Sequence, residues 1–160
     1  MKRTPILIAI VAGTAAGFMV SCGASYEQAK VRGSNISSMM AIKDVSIALE
    51  RYRHDHGAYP TANTMAELQT AVAPLLDHAQ RTDRWGELLL VEVNGESYVV
   101  SSKGDDRTGG PEFGGAVSIP GHSITVKDAV FVQYDSSVER TARKFEAEIA
   151  AVRNKSKSGV

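Results

Sequence analysis

The stretch that decides the fold is MMAIKDVSIALERYRHDHGAYPT, residues 39–61. Its apolar residues recur with the three- and four-residue spacing of one helix face, and they are Met39, Ile42, Val45, Leu49 and Tyr52. Gly57 can adopt the left-handed backbone that ends a helix, and Pro60 cannot continue one. The pattern therefore predicts a long helix from about Tyr26 to His56, with one face turned to the core.

The next predicted element is a short helix from Met65 to about Leu76. Thr64 and Glu67 stand three residues apart before an apolar run, which is the pattern of a capping box. The apolar positions that follow repeat at helical spacing, so this helix is expected to turn one face inward as well.

After this helix the pattern changes to that of a sheet. Residues 87–93 and 96–101 are rich in Leu, Val and Tyr, and they flank Asn94-Gly95. Asn-Gly between two extended runs is a strong hairpin signal. The remaining strands are predicted over 128–134 and, as a shorter strand before it, near Ser118 or Ile124.

A helix is predicted to close the domain over residues 138–154, where Ser136 and Glu139 form a second capping box. Its apolar stripe is expected to pack on the domain rather than on a partner, and consists of Val138, Ala142, Phe145, Ile149 and Val152. The predicted fold class is therefore α+β, with a long N-terminal helix on a small antiparallel sheet and an additional C-terminal helix.

The N-terminus has the pattern of an export signal. Met1-Lys2-Arg3 is cationic, and the uncharged run 5–20 is shorter than the roughly 20 residues of a transmembrane helix. Cys22 is the only cysteine, and the run Met19-Val20-Ser21-Cys22 resembles a bacterial lipobox, whose cysteine sulfur receives a diacylglyceryl group. An incidental cysteine in an ordinary signal peptide is the alternative. We therefore expect a lipoprotein anchored in membrane lipid through Cys22.

The charge composition argues against one class of partner. The chain carries 18 basic and 18 acidic side chains, and two of the basic ones, Lys2 and Arg3, would leave with the signal. A mature form with a slight acidic excess is not expected to bind nucleic acid.

Four short segments, taken in order, carry a family resemblance. They are 48–61, which ends in Gly57-Ala58-Tyr59-Pro60-Thr61; Glu67-Leu68; Asp83-Arg84-Trp85-Gly86; and 98–110, from Tyr98 to Gly110. Together they resemble the globular region of the type II secretion major pseudopilin, the G-type subunit, over residues 39–134. The motif residues are Gly57, Tyr59, Pro60, Asp83, Trp85, Gly86, Ser102, Gly104, Gly109 and Gly110.

In that family, the loop after the fourth segment holds a structural calcium ion. The resemblance carries over to Ser102, Gly104 and Asp106. The acidic donors would be Asp105, Asp106 and Glu112, a thin supply for an ion that prefers about six to eight oxygen ligands. Arg107 stands where the family has a glycine, and an ion pair between Arg107 and Asp106 would close the loop without a metal. The metal-free loop is favoured, and the calcium loop is the alternative.

No pattern of catalytic residues emerges from the sequence. His54 and His56 are two residues apart on the predicted helix, so they face away from each other and read as a solvated helix end. The chain has no P-loop, dinucleotide fingerprint or nucleophile elbow. We expect a non-enzymatic protein without a cofactor, apart from the optional calcium.

The largest departure from the family is at the N-terminus. Pseudopilins are cut after a glycine and carry a Glu at the fifth mature position, whereas a cut after Gly17 would place Cys22 there. We therefore expect a non-polymerising lipoprotein that acts as an accessory or interaction module of a secretion or pilus-type machine. The alternative is a true pseudopilus subunit that retains its N-terminal transmembrane helix.

The predicted domain organisation follows from these segments. Residues 1–21 are the signal peptide, 22–35 a tether, 36–135 the globular domain, 136–154 the C-terminal helix and 155–160 a disordered tail. The expected location is the periplasmic side of a bacterial cell envelope. Gly23, rather than Asp, follows Cys22, which favours the outer over the inner membrane.

Overall fold

A computed structural model describes residues 6–104, 124–134 and 136–155. Side chains are described from Ser25 onward, except for Glu27. The chain divides into two compact units between Gly33 and Ser34. The first described unit consists of the helical residues 6–33, and the second holds the sheet and the other helices.

Helix α1 spans Ile6–His56. It therefore begins well before Tyr26, where the sequence predicted it to start, and residues 22–35 lie within it. Its end is as predicted, because the Gly57 N–H donates to the Arg53 carbonyl oxygen at 2.8 Å and Gly57 has a φ of 83°. Within the second unit, the predicted apolar face of α1 is buried, from Met39 to Leu49.

Five strands form one antiparallel sheet in the order in which they occur in the chain. They are β1 (Thr61–Ala62), β2 (Leu90–Asn94), β3 (Tyr98–Ser102), β4 (Ile124–Lys127) and β5 (Val130–Gln133). The predicted hairpin between β2 and β3 is confirmed, with Val93 opposite Tyr98. Asn94 precedes the bend, and its side-chain oxygen accepts from the N–H groups of Glu96 and Ser97.

The strand predicted over 128–134 begins two residues too early. Asp128 and Ala129 have φ values of 48° and 78°, and they form the tight turn that joins β4 to β5. The side chain of Asp128 supports the turn, since its Oδ1 accepts from the Tyr98 N–H at 2.9 Å. The sequence missed this turn because alanine is uncommon in the left-handed region.

The helix predicted from Met65 to Leu76 is divided in two. Helix α2 spans Met65–Ala71 and α3 spans Ala73–Leu76. Pro74 lies in the first turn of α3 and has no N–H to extend the hydrogen bonds of α2. One half of the predicted capping box is present, because the Thr64 hydroxyl accepts from the Glu67 N–H at 3.2 Å. The Glu67 carboxylate accepts from the N–H of Asn63, one residue before the N-cap, at 2.8 Å.

Helix α4 spans Glu139–Lys155, so it begins and ends one residue later than predicted. Val138 belongs to a 3₁₀ turn over Ser136–Val138 that precedes it. Its apolar stripe packs on the domain, as predicted, with Val138, Ala142 and Phe145 in the core. The core lies between α1, α4 and the inward face of the sheet, which includes Tyr98, Val100, Val126 and Phe131. The predicted α+β architecture is confirmed.

Candidate functional site

Asp83 organises the turn that leads into the sheet. Its side chain is buried, and its Oδ1 accepts from the N–H groups of Trp85 and Glu87, both at 3.0 Å. The Asp83 carbonyl oxygen accepts from the N–H of Gly86. Gly86 has a φ of 86°, in the left-handed region that glycine adopts without strain. The predicted motif 83–86 is thus a turn built around one carboxylate.

The same carboxylate reaches the predicted loop. The Ser102 hydroxyl donates to Asp83 Oδ2 at 2.7 Å, and its oxygen accepts from the Gly104 N–H at 3.1 Å. Three motif residues from two of the segments, 83–86 and 98–110, therefore meet in one buried cluster, which we call the Asp83 cluster: Asp83, Ser102 and Gly104. The cluster holds the end of β3, where the loop begins, against the turn before β2.

The rest of the predicted loop lies outside the residues that the structure describes. Asp105, Asp106 and Glu112, with Gly109 and Gly110, fall in that part, so the calcium loop and the Arg107–Asp106 ion pair stay predictions. Within the described side chains, no group of three or more His, Cys, Asp or Glu residues could hold a metal ion.

A second buried cluster joins α1 to α4, and we call it the Glu50 cluster. Glu50 is 2% exposed although it carries a carboxylate. Its Oε1 accepts from Arg153 Nη2 at 2.6 Å and from the Tyr59 hydroxyl at 3.0 Å. Arg53 donates to the same hydroxyl at 3.1 Å. A buried carboxylate is tolerated when it is paired and hydrogen-bonded, and Glu50 meets both conditions.

Two tyrosines extend the Glu50 cluster toward the sheet. The rings of Tyr59 and Tyr98 meet edge to face, with centroids 5.1 Å apart. Burial raises the pKa of Tyr59 above its usual value, although the hydrogen bond from Arg53 opposes this. Burial, reinforced by the charge of Glu50, also raises the pKa of Tyr98 above its usual value. Both phenols are therefore held in the neutral form.

Sequence reasoning missed the Glu50 cluster. In the sequence, Glu50 is one unremarked position of the segment 48–61, and Arg153 lies 103 residues away. The one available signal was that Glu50 adjoins Leu49 on the apolar side of α1, where an acidic residue needs a partner. Nothing in the sequence pattern names that partner.

The other motif residues have structural positions. Tyr59 and Pro60 are buried, and the Tyr59 N–H donates to the Gly95 carbonyl oxygen at 3.0 Å, which extends the sheet beyond β1. Trp85 is half-buried, and its backbone N–H donates to Asp83 Oδ1. His54 and His56 are exposed at the end of α1.

The anchor site falls where no side chains are described. Cys22 belongs to α1 by its backbone alone, and the lipid-anchor prediction is untested. Among the residues described with side chains, no helix combines the length and the apolar character that crossing a membrane requires. The apolar run 5–20 precedes those residues.

Comparisons with known proteins leave the family open. No family model, no curated protein and no solved structure matches the chain. The relation to pseudopilins thus stays a prediction from the residues quoted above.

Proposed function

We propose that this protein is a non-enzymatic lipoprotein whose α+β domain serves as an accessory or interaction module of a secretion or pilus-type machine. The observation that carries the proposal is the lone Cys22, placed directly after an uncharged run that follows a cationic start. The helix-on-sheet architecture supports the second half of the proposal, because it is the architecture that the pseudopilin resemblance implies.

The described buried carboxylates support a structural role for the domain. The Asp83 carboxylate accepts three hydrogen bonds from within the fold, and Glu50 is engaged by Arg153 and Tyr59. These groups hold elements together, since both oxygens of Asp83 and Oε1 of Glu50 accept from protein donors. In this proposal the surface of the domain binds proteins of the secretion or pilus-type machine, and Cys22 binds membrane lipid.

The chemistry of the mature N-terminus tests the proposal. Mass spectrometry of protein purified from its native membrane is expected to show an acylated Cys22 as the first residue. Cys22→Ser is the matched control, because it changes one atom and leaves the run before it intact. This variant should lose the lipid mass and leave the membrane fraction. An unmodified Cys22 in the membrane-bound protein would contradict the proposal.

A second candidate is a pseudopilus subunit that keeps its N-terminal helix. The observation that favours it is the backbone of α1, which is helical from Ile6 through Gly17 and Cys22 to His56. The same mass measurement separates the candidates. A mature chain that begins at Phe18, or one left uncut, would support the filament subunit and overturn the lipoprotein.

A further inference from the structure

Asn35 is a misfit in the interior of α1. Its side chain is fully buried, and neither its Nδ2 nor its Oδ1 has a hydrogen-bond partner. A buried amide without partners destabilises the state that contains it. Asparagine is also a poor residue for a helix interior, because its side chain competes for backbone groups. The unbroken helix α1, which we call the closed helix, is therefore destabilised locally at Asn35.

The residues around Asn35 form helix weakly. Residues 33–38 read Gly-Ser-Asn-Ile-Ser-Ser, and all but Ile36 are residues that disfavour helix interiors through backbone freedom or side-chain competition. The chain also divides into its two compact units within this stretch, between Gly33 and Ser34. The weakly helical residues, the boundary between the two units and the unpartnered side chain of Asn35 therefore all lie within residues 33–38.

The helix is tied to the domain just after Asn35. The Ser38 hydroxyl oxygen accepts from the Arg84 N–H at 3.1 Å, and Met39 begins the buried face of α1. Before Asn35 the helix buries little, since residues 28–33 are exposed except for half-buried Val31. Opening the helix upstream of Asn35 would leave the Ser38 tie and the Met39 contacts intact.

We propose that α1 opens on the N-terminal side of Asn35, and that Asn35 then becomes the N-cap of a shortened helix that begins at Ile36. In that position its side-chain oxygen would accept the backbone N–H of Ser37 or Ser38, as N-cap asparagines do. The side chain that lacks a partner in the closed helix gains one in the open state. Asn35 is thereby the switch residue of a joint in α1.

The joint gives the tether of the proposed function a physical basis. Its use as a flexible link between a lipid anchor and the domain rests on that proposed function. The opening of the helix at Asn35 does not, because it follows from residues of the chain alone. The two can therefore fail separately.

Hydrogen–deuterium exchange on the full chain, solubilised in detergent, tests the joint. Amides of residues 30–37 are expected to exchange at least about tenfold faster than amides of residues 41–50 of the same helix, because local opening exposes only the former. Equal protection of the two segments would overturn the proposal. The result does not depend on whether Cys22 is acylated.

Two variants that differ by one oxygen atom isolate the capping role. Asn35→Ser keeps an N-cap side chain, whereas Asn35→Ala removes it. Exchange of residues 30–37 should stay fast in Asn35→Ser and fall about fivefold or more in Asn35→Ala. Ser37→Ala is the control, since it makes the same Ser-to-Ala change without touching a cap and measures helix propensity alone.

The comparison of the two Ser-to-Ala changes decides the outcome. The cap switch is supported if the exchange rate of residues 30–37 differs more between Asn35→Ser and Asn35→Ala than between the native protein and Ser37→Ala. If the two differences are equal, helix propensity accounts for them and the proposal is wrong. Far-UV circular dichroism and the urea midpoint of each variant ensure that only folded proteins are compared.

Discussion

At the scale of single residues, Asp83 connects parts of the chain that are otherwise separate. Removing its carboxylate leaves the N–H groups of Trp85 and Glu87 and the hydroxyl of Ser102 without their acceptor. A buried donor such as the Ser102 hydroxyl costs about 1–3 kcal/mol when it loses its acceptor, and the half-buried N–H groups of Trp85 and Glu87 cost less because water can reach them. Asp83→Ala is therefore expected to lower the free energy of unfolding by about 3 kcal/mol, measured by urea denaturation.

Ser102→Ala is the matched control, because it removes only one of those three hydrogen bonds. It also takes away the acceptor of the Gly104 N–H, so it should cost about 1–2 kcal/mol. The fluorescence of Trp85, the only tryptophan, reports separately on the turn. Its emission should shift in Asp83→Ala and stay close to the native spectrum in Ser102→Ala. Equal stability losses in the two variants would mean that Asp83 does not act as the centre of the turn.

At the scale of secondary-structure elements, the contact between α1 and α4 combines apolar packing with ion pairs. Lys43 pairs with Glu148 at 3.2 Å, and Arg153 pairs with Glu50 at 2.6 Å. The first basic residue lies on α1 and the second on α4, so the two pairs are of opposite sense and match only in one alignment of the helices. The Arg153–Glu50 pair is expected to contribute more than the Lys43–Glu148 pair, because Glu50 is almost fully buried whereas Glu148 is 38% exposed.

Arg153→Met is expected to lower the free energy of unfolding by about 2 kcal/mol, because it leaves the buried Glu50 carboxylate without its cation. The estimate is below the cost of breaking a fully buried pair, since the Arg153 side chain is 27% exposed. In a double-mutant cycle with Glu50→Gln, the two losses should fail to add by about 1 kcal/mol or more.

Lys144→Met on the same helix provides the comparison, because Lys144 is 74% exposed and its pair with Glu148 spans 3.9 Å. It should change the free energy of unfolding by less than about 0.5 kcal/mol. If Arg153→Met has no larger effect than Lys144→Met, the Glu50 cluster does not hold α4 to α1.

The two outer described strands of the sheet are protected in different ways. Strand β5 is the last of the described strands in the sheet order, and the Phe131 N–H donates to Glu146 Oε1 of α4 at 2.9 Å. At the opposite edge, β1 is only two residues long. Short and covered edges are features that limit pairing between sheets of different molecules.

At the scale of the whole molecule, the buried tyrosines link stability to pH. Their raised pKa values mean that Tyr59 and Tyr98 keep their protons in the folded state where the unfolded chain loses them, from about pH 10 upward. The contribution of these two tyrosines to the free energy of unfolding is therefore fully present below about pH 10 and is lost as the pH rises above it. We expect the free energy of unfolding to be lower at pH 11 than at pH 8.

Tyr98→Phe tests this origin, because phenylalanine has no proton to lose. The fall in unfolding free energy between pH 8 and pH 11 should be smaller in Tyr98→Phe than in the native protein. Tyr26 is 69% exposed, and Tyr26→Phe should leave the size of the fall unchanged. A fall of the same size in all three proteins would show that other groups cause it.

Local pattern was sufficient for most elements. The end of α1 at His56, the β2–β3 hairpin around Asn94-Gly95 and the inward stripe of α4 all follow from residues close in sequence. Helix period, glycine at positive φ and turn chemistry act over a few residues, so the chain encodes them directly. The errors also have local causes, namely Pro74 in the predicted second helix and Ala129 in an unusual turn.

The sequence by itself determined the α+β class, the ends of several elements and the faces that turn inward. Only the tertiary structure decided which polar groups meet, since Asp83 finds Ser102 across 19 residues and Glu50 finds Arg153 across 103. The physical reason is that apolar burial is non-directional and can be read from periodicity, whereas a buried charge needs one particular partner at hydrogen-bond distance. That partner is selected by the packing of distant elements.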